Sequence, residues 1–206
     1  MTAPRARLCF VGHMLGRNPG YVTSQGEFVA DGLEAAGYSV LCVSAAVSRW
    51  RRVSEIVQVL VQHRRDLEVV VLNVFSGQSF LVTDVASRLG QQFGYRIVMW
   101  LHGGGLPEFI DRYPRWATTV LRRADAIVSP SPFLALTVRE RGFESRIIPN
   151  SIHLSDYPYR QRPAVEPRLF WMRSFHPLYN PEMAVRALAH LRQTLPHARL
   201  VLAGQD

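Results

Sequence analysis

Short, continuous apolar runs alternate along the chain with longer stretches in which apolar residues recur every three or four positions. The short runs predict strands at residues 8–11, 40–43, 69–74, 96–101 and 126–129, with a brief last one at Ile147-Ile148 before Pro149. The longer stretches predict helices. Residues 24–36 place Phe28, Val29, Leu33 and Ala36 on one face and stop at Gly37. Trp50, Val53, Val57, Leu60 and Val61 form a second apolar stripe, and further helices are expected over 80–93, 113–123 and 133–141.

Strands this uniformly apolar are buried on both sides, so the pattern predicts an α/β fold: a parallel sheet with helices on both faces. Ligands of such sheets gather at the carboxyl ends of the strands. Those ends are the loops around Gly12–Gly20, Ser44–Ser48, Ser76–Ser79 and His102–Glu108. The first domain is expected over residues 1–150. Residues 151–167, irregular and rich in Pro, Tyr and Arg, read as a linker. At 168–206 the alternation restarts, with strands at 169–172 and 200–203 around a helix at about 181–195. A domain of this kind needs roughly 100–200 residues, so this stretch is expected to open a larger second unit. A missing C-terminal half or a partner chain would complete it.

Composition narrows the function classes. The 206 residues are 48% hydrophobic and carry a net charge of +8, and every one of the 24 basic residues is arginine. Arginine forks hold phosphates and carboxylates well, so anionic ligands are favoured. Nucleic acid is not expected, since there is no basic tail, zinc-ligand spacing or aromatic–basic sheet motif. No metal is expected either. The start, Met1 to Arg7, lacks a signal-peptide core and no apolar run is long enough for a membrane span, which predicts a cytoplasmic protein. Cys9 and Cys42 then read as buried, reduced thiols.

Two loops carry candidate chemistry. In the first, Gly12, Gly16 and Gly20 let a backbone approach phosphate ahead of a helix start. Their spacing is not G-x-G-x-x-G, and the second strand ends in Val43-Ser44 without a ribose-binding acid, which disfavours NAD. In the second, His102-Gly103-Gly104-Gly105, an imidazole at a strand end can hydrogen-bond a sugar hydroxyl. The same four residues are also an esterase oxyanion motif, which requires a G-x-S-x-G elbow. The nearest approach to one is Gly77-Gln78-Ser79, which lacks the closing glycine.

Three further segments extend the pattern: Ala124-Asp125 leading into a strand and Ser129-Pro130-Ser131, then Pro149-Asn150, then a strand ending in Met172-Arg173. In this order the chain resembles the retaining glycosyltransferases of family 4, built as two Rossmann-like domains in the GT-B architecture. Gly20 matches a glycine of the family's early loop, while Tyr21 and Thr23 depart from it. His102 matches the histidine beside the transferred sugar. Arg173 matches the arginine that holds the donor diphosphate, with Met172 in place of a glycine. The family's next cation, a lysine, has no counterpart around Pro177–Pro181, and its paired glutamates would lie beyond residue 206.

The resemblance implies a Rossmann-like fold and retaining transfer of a sugar from a nucleotide-diphosphate donor to an acceptor hydroxyl. Donor contacts would come from Arg173 and Gly20, and His102 would be catalytic. No cofactor beyond the nucleotide sugar is implied. The acceptor would be a glycan or a lipid-linked molecule, and the piece alone is expected to be inactive. The basic-aromatic clusters Arg49-Trp50-Arg51-Arg52 and Arg112-Tyr113-Pro114-Arg115-Trp116 suit peripheral contact with the inner membrane face. The competing readings are a non-catalytic binding module or partner subunit, and the esterase.

Overall fold

The structure, a computed structural model, describes residues 7–161, 164 and 166–204. The opening residues 1–6, Arg162, Pro163 and Val165 of the linker, and the last two residues lie outside the described ones. The chain divides into two compact units, residues 1–152 and 153–206.

The first unit is a six-stranded sheet in the order β2-β1-β3-β4-β5-β6. Its strands are β1 (Arg7–Val11), β2 (Ser39–Val43), β3 (Val69–Val74), β4 (Arg96–Leu101), β5 (Ala126–Ser129) and β6 (Arg146–Ile147), and every neighbouring pair is parallel. The helices are α1 (Gln25–Ala35), α2 (Arg49–Gln62), α3 (Phe80–Phe93), α4 (Leu106–Arg112), α5 (Pro114–Leu121) and α6 (Pro132–Arg139). This is the parallel α/β sheet with helices on both faces expected from the patterning, and its arrangement is Rossmann-like.

The period of two along the strands sorts the core onto two faces. Cys9, Val11, Leu72, Met99 and Leu101 point to the face covered by α2 through α6. Phe10 and Trp100 point the other way and pack with Ala30 of α1 and with Met14. Cys9 and Cys42 therefore lie on opposite faces, and both thiols are free. Burial pushes the Cys9 thiol up to about 12, with a further push from Cys42, so it packs as a small hydrophobe.

Three elements differ from expectation. On α2 the buried side chains are Arg52, Ile56 and Leu60, whereas Trp50 is 81% exposed. The stripe is rotated because Arg52 bonds the Ala46 and Val47 carbonyls and faces inward with them. Helix α4 occupies part of what reads as a loop. It is separated from α5 at Tyr113 (φ −129°, ψ 55°), whose backbone Pro114 excludes from the helical region.

The third difference lies in the second unit, which consists of β7 (Arg168–Met172), α7 (Pro181–Leu191) and β8 (Arg199–Ala203), with the two strands parallel. Here α7 ends at Leu191, four residues early, and turns at Leu195-Pro196 return the chain to β8. Phe170, Met172 and Val201, on one face of this sheet, are 58–70% exposed.

Candidate functional site

The glycine loop is shaped by one carboxylate. Ser24-x-x-Glu27 forms a capping box on α1: Ser24 Oγ accepts from the Glu27 amide, and Glu27 Oε2 accepts from the Ser24 amide at 2.6 Å. Glu27 Oε1 also accepts from the Arg17 amide at 3.0 Å, and the residue is 1% exposed. Two N–H groups that could have received an anion are thus already spent on Glu27.

The glycines divide by role. A Cβ at Gly16 would lie 2.4 Å from the Thr23 backbone, and one at Gly12 would lie 2.8 Å from Asn73 Cβ. Both are glycine for close packing. Gly20 is different: its φ of +83° needs glycine, while the space around it is open. It remains the one glycine of the three exposed for a ligand.

His102 follows β4 and is 8% exposed. Its Nε2 donates to Asn73 Oδ1 at 3.0 Å, which places the proton on that nitrogen. Burial lowers its pKa to about 4, so the ring is neutral at physiological pH. It stacks on Phe75 (4.9 Å between centroids), and Phe75 stacks in turn on His13 of the glycine loop (5.4 Å). Asn73 organises this cluster from β3. Gly12 and Gly26 leave the room it occupies, and a Cβ at Gly26 would fall 2.5 Å from Asn73 Nδ2. The structure thus brings the glycine loop and His102 together through two residues, Phe75 and Asn73, neither of which is marked by a sequence motif.

Beside this cluster, at the carboxyl edge of the sheet, lies a cleft of about 870 Å³. Val53, Val82, Phe109 and Trp116 supply apolar lining, and Arg49, Trp50, Arg112 and Tyr113 are exposed along it. Phe80 lies beneath, 4.9 Å from the Phe109 ring and 5.0 Å from Trp116. The two basic-aromatic clusters, some sixty positions apart in sequence, therefore line one cavity. Trp116 is anchored through its indole N–H to Asp84 at 2.8 Å. That carboxylate also receives Arg123 (2.6 Å) and Arg88 (2.9 Å). Burial alone would raise the Asp84 pKa, but the hydrogen bonds from Arg88, Arg123 and Trp116 outweigh it and hold the group at about 2.

Ser79 also lines the cleft, with its hydroxyl 3.1 Å from His13 Nε2. Burial, aided by the nearby Arg52 charge, lowers the His13 pKa. Ser79 closes a one-turn 3-10 helix (Gly77–Ser79) rather than standing in a tight strand-to-helix elbow.

The remaining motif residues have architectural tasks. Asp125 accepts from the Ile97 amide at 2.7 Å and sets the start of β5 beside β4. Ser131 caps α6. Ser151 exchanges two hydrogen bonds with Gln25: its amide donates to Oε1 at 2.9 Å, and its carbonyl accepts from Nε2 at 3.1 Å. In the second unit Arg173 directly follows β7, exposed, with its guanidinium 4.9 Å from the centre of the Tyr179 ring. A Cβ at Gly204 would overlap the Arg173 carbonyl at 1.7 Å, so Gly204 lets the two strand ends meet.

No family model and no curated protein matches the chain. Among the described residues there is no cluster of metal-ligating side chains and no helix long and apolar enough to cross a membrane.

Proposed function

We propose that this protein is a sugar transferase of the retaining, nucleotide-sugar-dependent kind. The observation that carries the reading is His102, a neutral imidazole with a fixed tautomer, at the carboxyl end of a central strand beside the glycine loop. A group so held presents a defined hydrogen-bonding edge to a sugar hydroxyl without a competing charge. Arg173 offsets charge on the departing diphosphate, and Gly20 gives the loop its open, left-handed turn. No side chain is assigned as a general base.

The test is transfer by the full-length protein from a panel of nucleotide sugars, with the product anomer determined. His102→Ala is expected to lower kcat by roughly 100-fold, the scale of losing one preorganised hydrogen bond. Arg173→Ala should weaken binding of the free nucleoside diphosphate. Absence of both transfer and nucleotide binding across the panel overturns the reading.

One observation favours a second reading, that of a serine hydrolase: the Ser79–His13 hydrogen bond inside the cleft. A neutral imidazole can accept the serine proton during attack. It ranks second because no carboxylate hydrogen-bonds to His13 among the described residues, so nothing fixes the base as a triad would. Labelling by a fluorophosphonate that disappears in Ser79→Ala would promote it.

A further inference from the structure

We infer that the cleft at the carboxyl edge of the first unit binds a lipid with a phosphate head group, the chain along the Phe109–Trp116 wall and the head at the arginines. That this lipid is the acceptor rests on the transferase reading; that it binds does not.

The charge balance of the cavity comes first. Three arginines line it, Arg49, Arg52 and Arg112, against a single carboxylate, Glu108. Arg52 is the most informative. It is 5% exposed, and among the described residues its guanidinium bonds only neutral acceptors, the carbonyls of Ala46 (2.9 and 3.1 Å) and Val47 (3.2 Å). Among the described residues no carboxylate lies within ion-pair distance of it. A buried guanidinium satisfied by carbonyls keeps its full charge, at a desolvation cost that an incoming anion relieves.

Apolar lining comes second. Val53, Val82, Phe109 and Trp116 give this cavity more hydrocarbon surface than a sugar or an inorganic anion can use, whereas an alkyl or isoprenyl chain covers it. The volume of about 870 Å³ lies in the small-molecule range of roughly 300–1,000 Å³. Exposed Trp50 and Tyr113 extend the aromatic surface beside the arginines, the pairing of apolar body and polar tip found where chains enter from a bilayer.

Decyl phosphate below its micelle concentration is the probe, titrated calorimetrically into the full-length protein. One molecule per chain is expected, with decyl maltoside and inorganic phosphate each at least about tenfold weaker. The double variant Arg49→Gln, Arg112→Gln changes exposed side chains and should fold. It should lose about threefold to tenfold in affinity for decyl phosphate per arginine while leaving decyl maltoside unchanged. Trp50→Ala should weaken both alkyl ligands.

Equal binding of decyl maltoside, an unchanged double variant, or no binding at all overturns the proposal. So does displacement of decyl phosphate by a nucleoside diphosphate, or sedimentation with phosphatidylglycerol vesicles without saturable binding of the monomer. Decyl phosphate binding without sugar transfer overturns the transferase reading and leaves this one standing. Transfer to a water-soluble acceptor without decyl phosphate binding does the reverse.

Discussion

Glu27 occupies the place that an anion would take at the start of α1, and the glycine loop folds around it. His102 is held as tightly, and its burial has a measurable signature. The folded ring accepts a proton only near pH 4, whereas the unfolded chain accepts one near the ordinary value of 6.5. Its contribution is complete above about 6.5 and is lost as pH falls through the window down to 4. Asp84 adds a second, lower window. Its folded carboxyl stays ionised to about 2 against an ordinary 3.8, so its contribution disappears between those values. Urea unfolding from pH 8 to pH 2 should therefore show two separate declines. His102→Asn should shrink the first, leaving the part that the lowered His13 contributes, and spare the second. At this scale the sequence was only partly legible. His102 at a strand end could be located by counting apolar residues. Asn73 could not, because it lies inside an apolar run and its importance comes from three neighbours distant in sequence, Gly12, Gly26 and His102.

At the scale of elements, strands were read more accurately than helix faces. A buried parallel strand carries most of its signal in a short run, and β3, β4 and β5 span the residues expected of them, 69–74, 96–101 and 126–129. A helix face is set by packing, so the stripe on α2 was misplaced once Arg52 found its carbonyls inside. The capping box of α1 was visible as Ser24-x-x-Glu27, yet the expected start at residue 24 used only the apolar spacing. The two helix starts now differ in a testable way. Ser24 caps α1 through its side chain, whereas Ser48 makes no side-chain cap on α2. Ser24→Ala should cost about 1 kcal/mol in thermal or denaturant unfolding, and Ser48→Ala only a few tenths.

Across the whole molecule, burial is uneven. The first unit holds nearly all the fully buried hydrophobic side chains, and among the described residues of the second only Ala198 joins them. A two-stranded sheet with one helix buries little area for the chain it orders, so its backbone amides should open far more readily than those of β3 and β4. The alternation that marked 168–206 as another strand–helix–strand unit was legible. The sparse burial was not, because patterning records which residues are apolar and not what covers them.

The paired hydrogen bonds between Gln25 and Ser151 belong to this scale too, since they join residues 126 positions apart. In hydrogen–deuterium exchange, Ser151 should appear as one slow proton next to exposed Asn150 and Ile152. Its rate would report on a single glutamine rotamer, with no strand or helix needed to protect it. Gln25→Ala should return that proton to its intrinsic exchange rate and leave β3 and β4 unchanged. The chain would then be held to the first unit three residues earlier, where the Ile148 amide donates to the Ser129 carbonyl at 2.9 Å.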